Sequence, residues 1–277
     1  FKEIILIDRN PDLLFARDLE LGQSIAALNL DIKLVCTSEY KYCENSDIVV
    51  FCAGARRQDG QSRDELLQIN TNIMLECARN LKRYVDDPLF VVLTNPVDFL
   101  LNKLYECQIF SPKKIIAMAG ALDNARFKYE LAKKFNCKTS DLDTKLIGFH
   151  NDDMLLLKSH STYKNKKITD LLSKDEIDDI ENEVKTGGAK VIKYLKTSAY
   201  LAPAAACVRM IEAIRSGEFL AMSVVLHGEF GVHNKAFGVL ARLSLQGVLE
   251  LANLELDENE TFKLQESLKK YNYLETK

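Results

Sequence analysis

One of the four histidines lies in a polar segment whose residue types could exchange protons. His150 occurs in "GFHNDDM", residues 148–154, between "DLDTKLI" and "MLLLKSHSTY". The flanking segments alternate or run apolar as strands do, so we predict that His150 lies on the loop between two strands. Imidazole titrates near neutral pH and can act as a general acid or base. A lone histidine is more often structural or solvated, so its partners must decide between these readings.

A carboxylate and an arginine could complete such a site. Asp123 and Arg126 stand three residues apart in "LDNARF", residues 122–127, which begins a predicted helix. Residues at this spacing share one face of a helix. A planar guanidinium can bind a carboxylate through two parallel hydrogen bonds. The plainer alternative is a surface ion pair, which would contribute only about 0.3–0.5 kcal/mol.

Strands and helices alternate in the first part of the chain, which predicts a doubly wound parallel sheet. The predicted strands are 3–8, 32–36, 47–54, 89–95 and 114–120, and the predicted helices are 11–28, 63–85 and 97–106. After about residue 120 the alternation is lost. There we predict helices at 122–135, 176–195, 203–217 and 257–272, and strands beside His150 and at 223–230 and 237–245. The fold class is therefore α/β, with a Rossmann-type domain at 1–121 and an α+β substrate domain at 122–277.

Unusual polar residues follow the predicted parallel strands. Asp8 ends the first strand, "AGARRQDGQSR" (53–63) follows the third, and "TNPVD" (94–98) follows the fourth. Ligands bind at the carboxyl ends of the strands in such sheets, so this edge is the expected site. The alternatives are a strand-end cap at Asp8, a simple turn at Asn95-Pro96 and a solvated loop for the arginines.

Composition excludes several classes of function. The 277 residues are 47% apolar and 28% charged, with 37 basic and 40 acidic side chains and no basic block, so we expect no nucleic-acid or membrane partner. The longest apolar runs, such as "FLAMSVVL" (219–226), are too short to span a bilayer, and the first residues do not form a signal peptide. Seven cysteines without a C-x-x-C pair favour reduced thiols in the cytoplasm and no metal site.

Taken together, six segments resemble the malate and lactate dehydrogenase family. They are "LID", "AGARRQDGQSRDELLQIN", "LTNPVD", "ALDNARF", "GFHNDD" and "SAYLAPAAA", and they occur in the family's order over essentially the whole chain. The resemblance implies a homodimeric or homotetrameric enzyme that uses NAD to reduce a 2-oxo acid. It implies His150, Asp123 and Arg63 as catalytic residues: the proton donor, the carboxylate that orients it, and the cation that polarises the reacting carbonyl.

The resemblance also implies the binding residues. Those for the substrate are Arg57, Arg63, Asn95, Arg126 and Ser198, and those for the cofactor are Asp8, Ala53, Gly54, Ala55, Asn70, Leu93, Thr94 and Asn95. Arg126 would bind the C1 carboxylate. A carboxylate such as Asp8 at a strand end accepts from both ribose hydroxyls and would repel a 2′-phosphate, which favours NAD over NADP.

Substrate choice depends on the register of one loop. In the family, the position six before the loop arginine faces the substrate's side chain, and six before Arg63 is Arg57. A cation there matches the second carboxylate of oxaloacetate or malate. A slip of one residue would place Gln58 there instead, which would suit pyruvate and lactate dehydrogenase activity.

The chain departs from the family pattern in two places. Asn151 follows His150 where the family usually has glycine, and we expect Asn151 to keep the bend by taking a positive φ. None of the twelve glycines makes a G-x-G-x-x-G turn, and the chain begins where the family's second strand would be. We therefore expect the sheet to lack its first strand, with an open groove between the strands at 4–8 and 48–52. A non-catalytic remnant that binds no cofactor is the alternative function.

Overall fold

The alternation of strands and helices predicted for the first part of the chain is confirmed. The structure, a computed structural model, describes residues 1–55 and 62–275. The strands are β1 (Glu3–Ile7), β2 (Lys33–Thr37), β3 (Ile48–Phe51), β4 (Leu89–Val92), β5 (Ile115–Ala117), β6 (Leu142–Asp143), β7 (Leu146–Ile147), β8 (Leu155–Leu156), β9 (Thr162–Tyr163), β10 (Lys166–Lys167), β11 (Leu220–His227), β12 (His233–Ser244) and β13 (Gly247–Leu251). The helices are α1 (Pro11–Ala27), α2 (Arg63–Lys82), α3 (Val97–Glu106), α4 (Ala119–Phe135), α5 (Lys174–Leu195), α6 (Leu201–Ser216) and α7 (Glu258–Glu275).

One six-stranded sheet contains strands from both predicted domains. Its order is β13-β12-β11-β5-β4-β3, with β3, β4 and β5 parallel and β11, β12 and β13 antiparallel to their neighbours. The sheet passes from β5 to β11 through the pairs Ser223–Ala117 and Val224–Ile116. The predicted domains at 1–121 and 122–277 therefore share this sheet.

The strands β1 and β2 form a separate parallel pair. We predicted that the segments at 4–8 and 48–52 would not pair, and among the described strands β1 indeed pairs with β2 and not with β3. Apolar side chains remain exposed on both elements, with Ile4 39% and Val50 38% accessible. The open groove between these two strands stays a prediction.

Two large apolar clusters cover the two faces of the six-stranded sheet. Along β4, Leu89 and Val91 belong to one cluster while Phe90 and Val92 belong to the other, which is the period-two alternation of a strand. Residues of α2 and α3 pack on the Phe90 side, and residues of α6 and α7 pack on the Leu89 side. Because both faces are covered, β4 is buried along its whole length and provides a rigid base for the residues after it.

Two elements near His150 differ from the sequence prediction. The strands predicted at 141–147 and 154–163 were too long, because each is broken into two-residue pieces, and only β7 and β8 pair with each other around His150. The helix predicted from residue 122 begins earlier, at Ala119. Its first turn packs closely on β11, since a Cβ on Gly120 would lie 2.9 Å from the Ala221 carbonyl carbon. This close packing fixes α4 against the sheet.

Candidate active site

His150 lies on the loop that joins β7 to β8, as predicted. The loop is anchored at Gly148, which has a φ of +103° and donates its N–H to the Gly238 carbonyl oxygen at 2.9 Å. A Cβ on Gly238 would lie only 2.1 Å from the Gly148 carbonyl oxygen. Glycine is therefore required at 238 for the loop to approach β12 this closely.

A three-residue turn presents the His150 side chain. The Asn151 N–H donates to the Phe149 carbonyl oxygen at 2.8 Å, which places His150 at the apex of the turn. The Asn151 side-chain oxygen accepts the Asp153 N–H at 2.7 Å. The expectation of a positive φ at Asn151 was wrong, because the positive φ falls at Gly148. The bend therefore does not need glycine after the histidine.

The same loop is held from the opposite side by α7. The Tyr271 ring stacks on Phe149, with centroids 3.9 Å apart and an interplanar angle of 5°. Lys270 forms an ion pair with Asp153 at 2.6 Å. Stacked rings and a charge pair on either side of His150 restrict the loop to one position.

One carboxylate joins His150 to Arg126. His150 Nδ1 lies 2.6 Å from Asp123 Oδ2, and Arg126 Nη1 lies 2.6 Å from Asp123 Oδ1. Asp123 is 1% exposed, whereas the side chains of His150 and Arg126 remain 16% and 23% exposed. The α4 helix places both Asp123 and Arg126 on one face, as the spacing predicted. The sequence-predicted acid, orienting carboxylate and anion receptor therefore form one partly accessible cluster.

Opposing effects act on the pKa of His150. Burial lowers the pKa of the ring, because a charged imidazolium loses solvation. The charge and hydrogen bond of Asp123 and the charge of Asp98 raise it, and Arg126 lowers it. The net result is a raised pKa for His150, so the imidazolium is favoured.

Sequence reasoning did not predict that two buried residues, Asp98 and Ser223, support the backbone of His150. Asp98 Oδ2 accepts the backbone N–H of His150 at 2.7 Å, and Asp98 Oδ1 accepts the hydroxyl of Ser223 at 2.6 Å. Both residues are buried. The available signal was a single polar residue inside an otherwise apolar run, in "PVDFLL" and in "AMSVVL".

Asn70 joins two segments of the predicted cofactor site. Its side-chain oxygen accepts the Ala55 N–H at 2.7 Å, and its amide nitrogen donates to the Asn95 carbonyl oxygen at 2.9 Å. Asn70 is 1% exposed, so these bonds satisfy an otherwise buried amide. The loop after β3 and the loop after β4 are therefore held together at the carboxyl edge of the sheet.

The turn at Gly54 packs closely against the residues that follow β4. Thr94 donates its hydroxyl to the Ala53 carbonyl oxygen at 2.7 Å, and a Cβ on Gly54 would lie 2.6 Å from Thr94 Cγ2. Leu93, which precedes Thr94, donates its N–H to the Phe51 carbonyl oxygen at 2.8 Å. Ala53 and Gly54 are exposed, so the backbone of this turn is open to a flat ligand. These residues fit a dinucleotide on the carboxyl edge.

Asp8 also faces this edge. It directly follows β1, and its carboxylate accepts the Asn10 N–H at 2.8 Å. Burial and, next, the charge of Asp8 raise the pKa of the thiol of Cys52, the residue after β3. An acceptor at this position fits the ribose hydroxyls of a nucleotide.

Two of the predicted substrate residues lie wholly or partly outside what the structure describes, and a third is exposed. Arg57 lies outside the described residues, as does the side chain of Arg63, whose backbone begins α2 after the Ser62 cap. Ser198 is exposed between α5 and α6, and no described hydrogen bond links it to His150. In the described ranges, no group of three or more His, Cys, Asp or Glu side chains could hold a metal ion, and no helix could span a membrane.

Comparison with known proteins gives a consistent result. The family model described as lactate/malate dehydrogenase, NAD binding domain, matches residues 1–117, and the one described as lactate/malate dehydrogenase, alpha/beta C-terminal domain, matches residues 120–272. A protein named "Probable malate dehydrogenase" from Campylobacter jejuni is 67% identical over 98% of this chain and 90% of its own length. A malate dehydrogenase from Chlorobium limicola is 34% identical over 96% of this chain and 87% of its own length.

A solved structure agrees with these relatives. The malate dehydrogenase from Aeropyrum pernix superposes with a TM-score of 0.92 at 30% identity, over 99% of this chain and 90% of that one. The shared fold, the two family matches and the His150–Asp123–Arg126 cluster lead to one conclusion. This chain belongs to the lactate/malate dehydrogenase family.

Proposed function

We propose that this chain interconverts oxaloacetate and malate by reversible hydride transfer with NAD, and that His150 donates and accepts the proton. The chain is an NAD-dependent 2-hydroxy-acid dehydrogenase by its family. The observation that carries the proposed mechanism is Asp123, which bonds both to the His150 ring and to Arg126. Reducing a 2-oxo acid needs a proton donor and an anion receptor at a fixed separation. Asp123 fixes that separation because it bonds to both side chains.

The proton moves at Nε2 of His150. Asp123 occupies Nδ1, so in the protonated ring Nε2–H is the donor that remains for the substrate oxygen. When the ring has given up this proton, Asp123 keeps the other proton on Nδ1 and leaves Nε2 ready to accept. The same histidine can therefore act as acid in reduction and as base in oxidation.

The remaining side chains bind and polarise the substrate. Arg126 has Nη1 on Asp123 and keeps other N–H groups for the C1 carboxylate. Asn95 is exposed beside the Asn70 bridge and would donate its amide to the substrate oxygen. Arg63 would polarise the reacting carbonyl, and Arg57 would bind the second carboxylate, with Ser198 at the pocket wall.

The cofactor residues lie along the carboxyl edge of β1, β3 and β4. Bound NADH supplies the hydride. Asp8 would accept from the ribose hydroxyls, and the exposed Ala53–Ala55 turn would lie against the nucleotide. Leu93, Thr94 and Asn95 would form the floor after β4, with Asn70 fixing their distance from the turn.

Two observations favour oxaloacetate, which has two carboxylates, over pyruvate as the substrate that we assign. The relative at 67% identity is named a malate dehydrogenase, as is the one at 34%. The register without a gap also places a cation, Arg57, six residues before Arg63.

Assembly into a homodimer or homotetramer, in the cytoplasm, is part of the proposal. Large apolar side chains on three helices support it: Phe15 of α1 is 69% exposed, Tyr194 of α5 77% and Leu201 of α6 75%. Side chains of this kind are the ones that a contact with another chain would bury. The seven cysteines, none of which forms a disulfide, suit a reducing compartment.

The decisive experiment is His150→Asn. It should lower kcat for oxaloacetate reduction by roughly 10²–10⁴-fold, because general acid catalysis is lost, while the affinity for NADH stays nearly unchanged. The matched control is His160→Asn, whose ring lies outside the cluster and bonds to the Glu255 carbonyl oxygen. Stopped-flow turnover and fluorescence titration with NADH measure both quantities.

Three outcomes would contradict the proposal. Full activity of His150→Asn would remove the histidine from the mechanism. Failure of the wild-type chain to bind NADH in the same titration would favour the non-catalytic remnant. Faster turnover of pyruvate than of oxaloacetate by the wild-type chain would indicate a lactate dehydrogenase.

A further inference from the structure

We propose that Asp98 is a positioning residue for His150, which fixes the histidine's backbone and supplies a second negative charge to its ring, with Ser223 as its partner. The inference rests on the proposed role of His150 and extends it to residues that do not touch the substrate. Asp98 acts through the backbone N–H, whereas Asp123 acts on the ring itself.

The contacts of Asp98 are directed at the catalytic loop rather than at its own helix. Asp98 lies in the first turn of α3, where acidic residues often cap the free backbone N–H groups. Its carboxylate instead crosses to two other elements, the His150 loop and the centre of β11, where Ser223 is fully buried. Each oxygen accepts one hydrogen bond, so helix capping does not account for this residue.

The cost of burying this carboxylate supports a role beyond packing. Asp98 is only 5% exposed, and its chain neighbours Val97 and Phe99 belong to the two apolar clusters. The net result is a raised pKa for Asp98, mainly because of burial; the bonds from Ser223 and His150 and the charge of His150 lower it, and the charge of Asp123 raises it. A buried charge is costly unless its partners compensate. An apolar side chain would fill the same space without that cost.

Two carboxylates therefore hold the histidine at two points. Asp98 fixes the backbone at the apex of the turn, and Asp123 fixes Nδ1, so the direction of Nε2 is determined. Both negative charges favour the imidazolium, and Arg126 on α4 opposes them. Removing the charge of Asp98 should make the ring easier to deprotonate without moving it.

Asp98→Asn separates charge from geometry. The amide oxygen can still accept the His150 N–H, and the amide nitrogen can donate to the Ser223 hydroxyl oxygen, so both hydrogen bonds survive. We expect the pKa of the His150 ring, measured by NMR titration, to fall, because the charge of Asp98 no longer favours the imidazolium. Because reduction needs the protonated ring, the pH above which oxaloacetate reduction fails should move down by the same amount. NADH affinity should not change.

A matched control exists in the same chain. Asp87 also accepts one backbone N–H and one serine hydroxyl, both from Ser111, at 2.9 and 2.7 Å. It precedes β4, at the amino end of the sheet and away from the catalytic edge. Asp87→Asn should leave the His150 pKa and the pH profile unchanged, even if it lowers the melting temperature.

A second variant keeps the test decisive if Asp98→Asn does not fold. Ser223→Ala removes one of the two donors to Asp98 and so destabilises its charged form. The His150 pKa should then fall in the same direction as in Asp98→Asn, by a smaller amount.

The proposal is overturned if either folded variant lowers only the melting temperature and leaves the His150 titration unmoved. The NMR readout also separates this result from failure of the proposed function. Full activity of His150→Asn would refute the acid role, whereas the ring titration would still decide whether Asp98 acts on His150.

Discussion

Arg126 cannot by itself neutralise a substrate with two carboxylates. Its Nη1 already bonds to Asp123 at 2.6 Å, so the guanidinium is partly compensated before any ligand arrives. The remaining N–H groups suit one carboxylate. A second carboxylate at the far end of oxaloacetate needs a separate cation. Arg57, or its neighbour Arg56, would supply that cation.

Arg57→Gln should convert substrate preference at this position. Losing a desolvated charge pair of roughly 2–5 kcal/mol should lower kcat/KM for oxaloacetate by about 30-fold or more, while pyruvate turnover holds or rises. Arg56→Gln is the matched control, one residue away and of identical chemistry. If Arg56→Gln causes the loss and Arg57→Gln does not, the register that we chose is wrong. Steady-state kinetics with both substrates decides.

The sequence predicted only part of the site, for a physical reason. The pairing of Asp123 with Arg126 was predictable because they are three residues apart on one helix, whereas the pairing of Asp123 with His150 was implied only by the family resemblance. The role of Asp98 was not predictable, since its partners are 52 and 125 residues distant and one of them is a backbone N–H. Side-chain types give no information about which backbone group a buried carboxylate will meet.

At the scale of elements, α5 lies against Arg126 through two glycines. A Cβ on Gly187 would lie 3.5 Å from Arg126 Cδ, and a Cβ on Gly188 would lie 3.3 Å from Arg126 Nη2. Nη2 is not the nitrogen that bonds to Asp123. A side chain at 188 would therefore press on the arm of the guanidinium that is available to a ligand.

Gly188→Ala should stabilise the helix and impair the enzyme at once. Alanine is favoured over glycine inside a helix by about 0.8–1.0 kcal/mol, so the melting temperature should hold or rise. The displaced guanidinium should raise KM for oxaloacetate by roughly tenfold. Gly22→Ala in α1 is the control, because a Cβ there meets nothing within 4 Å, and it should leave KM unchanged. Equal KM values in the two variants would contradict the argument.

Element types were predictable, whereas sheet membership was not. Periodicity identified β1 to β5 and the helices between them to within a few residues. It could not show that β11 joins β5, because strand pairing is set by contacts far apart in the chain. The strands predicted from periodicity around His150 were also longer than the observed ones, since an apolar run does not reveal where the backbone turns.

The whole molecule should unfold as one unit around the shared sheet. The strands β3, β4 and β5 come from the first predicted domain and β11 and β12 from the second, yet they form one hydrogen-bonded layer between two apolar clusters. We expect native-state hydrogen exchange to give similar opening free energies for β4 and β11 and lower ones for β1 and β2. Two separate transitions, one for each predicted domain, would contradict this expectation.

The unpaired edge of β3 affects how the molar mass of this protein should be measured in solution. The strand reads "IVVF", ends the sheet and pairs on one side only within the described chain, so its outer backbone groups can accept another strand. Pairing of β3 with the other edge strand, β13, of a further chain has no fixed stoichiometry, whereas a symmetric oligomer closes at a defined number of subunits. In light scattering, a molar mass that rises continuously with concentration would indicate association through the edge of β3. A molar mass that stays constant at two or four chains would indicate the proposed homodimer or homotetramer.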